Sequence, residues 1–160
     1  MKRKLANGLV LTVFFTMSSA WACQFAPAPP GNAREHHIHF RARNGLIFIP
    51  AQVNGNRVTL LLDTGAALTT FSLKIVPEVN VNSRITMNMA SGSVTASRVL
   101  VAFTVGEPDQ DERRCSFRQI AVVGDFKFGE ADGVIGLDVL GSFKAVTIDF
   151  QNSILILEDR

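Results

Sequence analysis

Several things are scarce in this sequence, and each scarcity excludes something. Two cysteines, Cys23 and Cys115, stand among 160 residues, enough for one disulfide and no more. Three histidines, His36, His37 and His39, sit close together, but no cysteine or acid completes a metal set at recognisable spacing, so they read as the solvated start of a strand. No metal and no cofactor is expected. Long amphipathic helical patterns and internal repeats are missing, which removes helical and solenoid classes. The apolar stretch from Leu9 to Met17 is shorter than the about 20 residues that a membrane-crossing helix takes. Charge is scarce too: 16 Lys and Arg face 14 Asp and Glu, and three of the basic residues lie at positions 2 to 4. Without those three the chain is close to neutral, so nothing in it suggests a nucleic-acid or anionic-membrane surface.

Lys2, Arg3 and Lys4, the apolar stretch that follows and the small-x-small triplet Ala20-Trp21-Ala22 have the tripartite form of an export signal over residues 1–22. The mature protein is expected to begin near Cys23, outside the cytoplasm, in the periplasm or secreted. Cys23 has three states open to it. It can pair with Cys115, it can serve as a lipid-anchoring cysteine with the Pro-rich residues 23–37 as lead or tether, or it can stay free. Residues 38–160 then form one domain, long enough for a real core.

What is present is a series of short apolar segments punctuated by turn residues. Ile38 to Arg43 reads as a first strand; Leu46 to Val53 and Arg57 to Leu62 follow as a hairpin around Asn54-Gly55, the dipeptide that best fits a tight hairpin turn. Leu68 to Val76 is a strand or a helical turn stopped at Pro77. Ile85 to Ala90 and Ser93 to Val105 form a hairpin around Ser91-Gly92, with Val99, Val101, Phe103 and Val105 on one face. Glu107 to Arg114 reads as a solvated loop, Cys115 to Val123 as a strand, Leu137 to Phe143 as a short helix, and Ala145 to Phe150 with Ile154 to Leu157 as a closing hairpin. The class is all-β: a small closed or nearly closed barrel with one short helix.

One stretch needs a chemical explanation. Val58-Thr-Leu-Leu-Leu runs straight into Asp63-Thr64-Gly65-Ala66, which sets a carboxylate at the margin of a core. A second apolar run broken by glycine, Gly133-Val134-Ile135-Gly136-Leu137-Asp138, follows later in the chain. Taken singly, the first is a turn and the second a strand end. As a pair, in this order and with these strands between them, they resemble the signature of the retropepsin-like aspartic proteases over roughly residues 38 to 157.

The resemblance implies that the two segments meet and that Asp63 is a catalytic carboxylate. It implies that Thr64 and Gly65 form the active-site turn, that Ala66 and Ala67 line the cleft, and that the hairpin from Met87 to Arg98, tipped by Ser91 and Gly92, closes over an extended peptide or protein substrate. Ile135, Gly136 and Asp138 take structural places. Such enzymes need two carboxylates sharing a proton, and this chain has a single Asp-Thr-Gly, so a homodimer with one Asp63 from each copy is implied. The sequence departs from the retroviral pattern in having Ala67 where an acid is usual, in lacking a glycine-rich flap tip, and in containing no tyrosine. These departures bear on substrate preference more than on reaction type. The competing expectation is a catalytically silent member of the same fold, a dimerisation or peptide-binding module of the cell envelope.

Overall fold

The computed structural model describes residues 34–77, 84–89, 92–107 and 114–160. The leader, Cys23, most of the Pro-rich lead, Ser91 and the greater part of the expected charged loop lie outside these residues.

Among the described residues, eleven strands and one helical turn follow in order. They are β1 (Glu35–His39), β2 (Arg41–Arg43), β3 (Leu46–Val53), β4 (Asn56–Leu62), β5 (Thr70–Ser72), β6 (Arg84–Met89), β7 (Gly92–Val105), β8 (Cys115–Gly124), β9 (Gly133–Ile135), α1 (Leu137–Leu140), β10 (Ala145–Asp149) and β11 (Ile154–Glu158). The large sheet has the order β2-β3-β4-β9-β5-β8-β7-β6, and an additional pairing of β3 with β7 closes its middle into a ring. The expected all-β, ring-closed architecture with one short helix is thus present. The chain ends come together in a second sheet, β1-β11-β10.

Local chemistry explains the turns. Asn54 and Gly55 both take positive φ, 50° and 82°, the mirror-image turn whose twist matches a two-residue hairpin. Asn44 and Gly45 do the same at 52° and 76°, folding β2 back on β3. The single strand expected from Ile38 to Arg43 is therefore two. It breaks at Phe40, which is buried and whose N–H donates to the Ser153 carbonyl at 3.0 Å, so β1 joins the terminal sheet while β2 joins the large one. Strand β1 starts at Glu35, three residues before the expected start of the domain.

Its alternation also corrects the reading of the histidines. His37 and His39 face solvent, but His36 falls on the inward phase with Ile38 and is 1% exposed, its Nε2 at 3.2 Å from the Asp159 carboxylate. A strand's period of two, not the polarity of each residue, decides which of them is buried.

The core lies inside the ring. Val101, Phe103 and Val105 point inward as their alternation predicts, and Val99 packs against them at the margin. Phe71, Phe103, Phe117 and Phe143 form a chain of ring contacts with centroids 5.2, 5.1 and 6.1 Å apart. A smaller cluster of Ala96, Val122 and Phe126, with Leu68, Ile85, Met87, Val94 and Phe128 around it, lies beneath the β6–β7 hairpin. The long β7–β8 ladder, from Ala96↔Gly124 to Val105↔Cys115, ties that hairpin to the core.

Candidate active site

Strand β4 carries its apolar residues to the edge of the core and stops. Next to it, in parallel register, runs β9, with Leu60↔Gly133, Leu61↔Val134 and Leu62↔Ile135. The two sequence motifs therefore arrive side by side. The Asp63 N–H donates to the Ile135 carbonyl at 3.2 Å, one step beyond the last paired residue, and the Leu137 N–H donates to the Ala66 carbonyl at 2.8 Å.

Between these two bonds the chain makes its turn. The Gly65 N–H donates to Asp63 Oδ1 at 2.8 Å and the Ala66 N–H to the Asp63 carbonyl at 3.2 Å. A carboxylate bonded by a backbone N–H of its own turn has its orientation set by the backbone. Asp63 is half-buried, while Thr64 and Gly65 are exposed, Ala66 is half-buried and Ala67 exposed. The Thr64 hydroxyl makes no hydrogen bond among the described residues.

Close approach of the two segments depends on glycine. A Cβ on Gly136 would stand 2.8 Å from the Ala66 carbonyl oxygen and equally near the Leu68 carbonyl carbon, and one on Gly133 would stand 2.5 Å from the Thr70 carbonyl oxygen. Both distances are to backbone, which cannot swing aside as a side chain can.

Beneath the turn lies a polar network that sequence reasoning did not find. Thr69 is fully buried. Its N–H donates to both oxygens of Asp138 at 2.9 Å, its hydroxyl donates to Asp138 Oδ1 at 2.7 Å, and that same hydroxyl accepts the Gly136 N–H at 3.1 Å. Gln119 Nε2 and the Val139 N–H also donate to Asp138, at 3.2 and 3.0 Å. The Asp138 carboxylate is thus occupied in fastening α1 and β9 to the segment after the turn. Two adjacent threonines within an apolar run were the available signal for Thr69. Nothing in the sequence singled out Gln119.

Asp132 is committed as well: its carboxylate accepts the Thr59 N–H at 2.9 Å and its own N–H donates to the Thr59 carbonyl at 2.8 Å. Of the residues expected at the site, Asp63 and Ala66 are thus brought against Ile135 and Gly136, and Thr64 and Gly65 form the turn between them. Gly92 belongs to the β6–β7 hairpin, opposite Met89 and with φ 120°. Ser91 lies outside the described residues.

The family model described as aspartyl protease matches residues 49–139, which contain both segments and the strands between them. The chain belongs to the aspartyl protease family. Solved structures agree on the fold. A retropepsin-like aspartic protease from Rickettsia conorii aligns over 80% of this chain and 91% of its own, with TM-score 0.51 and 22% identity. The retroviral protease-like domain of Ddi1 from Leishmania major aligns over 70% of this chain and 87% of its own, with TM-score 0.52 and 18% identity. At such identities the likeness is one of fold. A search of curated proteins finds no match.

Proposed function

We propose that this aspartyl protease is an exported endopeptidase whose catalytic pair is assembled from Asp63 of two copies. The observation that carries the reading is the different state of the acids around the two motifs. Asp138 and Asp132 have their carboxylates tied to donors of distant segments, whereas the Asp63 carboxylate is held by an N–H of its own turn and stands at a partly open surface. A chain with a single Asp-Thr-Gly needs a second such carboxylate from elsewhere, and a two-fold arrangement supplies it with the same geometry. The exposed Thr64 hydroxyl and the exposed Leu137 beside the turn suit a surface that a second copy covers.

In that dimer one Asp63 is ionised and takes a proton from water as its oxygen attacks the scissile carbonyl carbon. The other, protonated, donates to the carbonyl oxygen. Collapse of the tetrahedral intermediate breaks the C–N bond, and the departing amine takes up a proton. Gly65 leaves room for the substrate main chain, Ala66 and Ala67 line the cleft, and the β6–β7 hairpin with Ser91 and Gly92 at its tip closes over an extended peptide. Export follows from the leader over residues 1–22, and no metal or other cofactor enters the reaction.

The test is cleavage of a mixed peptide library by residues 23–160 across acid to neutral pH and rising protein concentration, with Asp63→Asn in parallel. Cuts that grow faster than linearly with concentration and vanish in the variant are expected. Silence from demonstrably dimeric wild type would move the reading to a peptide-binding module of the same fold.

A further inference from the structure

Strand alternation sorts the residues beside the site into two faces. On β3, Ile47 and Ile49 pack into the main core and Phe48, though buried, does not; on β4, Leu60 and Leu62 do and Leu61 does not. Arg41, Phe48 and Leu61 are cross-strand partners on β2, β3 and β4, so their side chains share the face turned away from that core. Asp63 follows Leu61 by two residues, and its N–H bond to Ile135 continues the ladder, which brings its carboxylate onto the same face.

A hollow of about 450 Å³ opens on this face, lined by Phe40, Phe48, Arg41, Arg43, Glu130 and Ser153. Phe40 and Phe48 are both buried and give it an aromatic floor. Arg43 and Glu130 offset each other's charge, with Nη1 and Oε1 2.7 Å apart. Arg41 is exposed, and its guanidinium has no ion-pair partner among the described residues. The lining therefore carries one net positive charge, that of Arg41. We infer that this hollow is a specificity pocket of the peptide cleft, in which Arg41 selects an acidic side chain, glutamate above all, about three to four residues from the scissile bond.

The spacing sets the substrate position. Two strand separations of about 4.8 Å part Arg41 from Leu61, and Asp63 lies two steps of about 3.3 Å farther along, so an extended peptide covers the gap in about three to four residues. Charge sets the ligand: one net positive charge matches a carboxylate and leaves a phosphate dianion half-matched. The methylenes of a glutamate lie on the aromatic floor while its carboxylate meets the guanidinium fork, and an aspartate is one methylene short. Arg43 has a part in this as well, because it offsets Glu130, whose carboxylate would otherwise repel the incoming acid. In a two-fold dimer each copy supplies one pocket, so the preference falls on both sides of the scissile bond.

The inference rests on the proposed endopeptidase reading, since only a peptide held at Asp63 passes the hollow. Its test uses the full chain expressed with its own leader, as wild type, Arg41→Gln and Arg41→Glu. Matched peptides that differ only in Glu, Gln or Lys at the third and fourth positions from the cut compete in one tube, which reads the ratio of their kcat/KM values independently of enzyme yield. Near neutral pH the wild type is expected to favour Glu over Gln by about two- to fivefold, the worth of an exposed ion pair. That preference is expected to shrink with added salt and as pH falls through the glutamate range near about 4.3. Arg41→Gln is expected to bring the ratio to unity, and Arg41→Glu to favour Lys, an inversion that a merely structural role for Arg41 would not produce. A wild-type ratio of unity, or an acid preference that survives Arg41→Gln, overturns the pocket and leaves the endopeptidase reading standing. No cut in any peptide by demonstrably dimeric wild type overturns both together.

Discussion

Thr69 and Asp138 are joined by three short contacts, two from the threonine N–H and one from its hydroxyl, and through that hydroxyl the pair also holds the Gly136 N–H. This knot fastens α1 to the segment just after Asp63. It engages the Asp138 carboxylate in holding these segments together.

Thr69→Val keeps the shape of the side chain and removes the hydroxyl, leaving the buried Gly136 N–H without its acceptor and Asp138 Oδ1 with one donor fewer. The expected loss is about 1–3 kcal/mol of stability. Urea unfolding of wild type and variant, read with equal m-values, checks it; an unchanged midpoint would mean that the hydroxyl carries none of the fastening.

Asp63→Asn retains size and the acceptor for the Gly65 N–H. Hydrolysis is expected to fall by at least about 100-fold, since the variant can neither take nor return a proton. The melting temperature should stay near that of wild type. Parallel peptide-cleavage assays and thermal melts separate the two effects, and residual activity within a few-fold of wild type would remove Asp63 from the chemistry.

Gly133→Ala drives a methyl group against the Thr70 carbonyl oxygen, whereas Gly129→Ala adds one into open space at φ 64°. The first is expected to cost about 1–3 kcal/mol or more through overpacking at the motif junction, and the second about 1 kcal/mol through its backbone conformation alone. Comparing the two midpoints tests whether close approach of β9 is what the glycine serves.

The Asp149 carboxyl is held below its ordinary value of 3.8, first by the Asn152 side chain at 2.7 Å and then by the Asn152 N–H at 3.0 Å, in the turn between β10 and β11. A depressed folded-state pKa stabilises above the unfolded value and ceases to do so as pH falls through the folded one, so this turn loosens only in acid below the ordinary carboxylate range. Asn152→Ala is expected to raise the Asp149 midpoint toward its ordinary value while leaving the other carboxyls in place. A carboxyl-detected NMR titration reads this directly, and an unmoved midpoint would assign the shift to something other than Asn152.

Much of the fold was legible because its signals are local. Asn54-Gly55 announced a hairpin, and the alternation of Val99, Val101, Phe103 and Val105 announced which face of β7 is buried. Asn44-Gly45 carries the same turn signal and was there to be read, yet the continuous run up to Arg43 masked it. The helix was expected to reach Phe143 but stops at Leu140, where Gly141 begins a turn that sends Phe143 into the aromatic core. Propensity does not register that pull, because it comes from Phe117 on another strand.

The site divides in the same way. Sequence by itself determined that a carboxylate would end an apolar strand and be followed by a turn, since strand period, burial and glycine freedom are properties of neighbours along the chain. Tertiary structure alone decided that β9 lies parallel to β4 and that the Asp138 carboxylate is absorbed by Thr69 and Gln119. Each of these joins residues far apart in sequence. Which distant partner a buried polar group finds is set by the closing of the ring, and no local pattern records it.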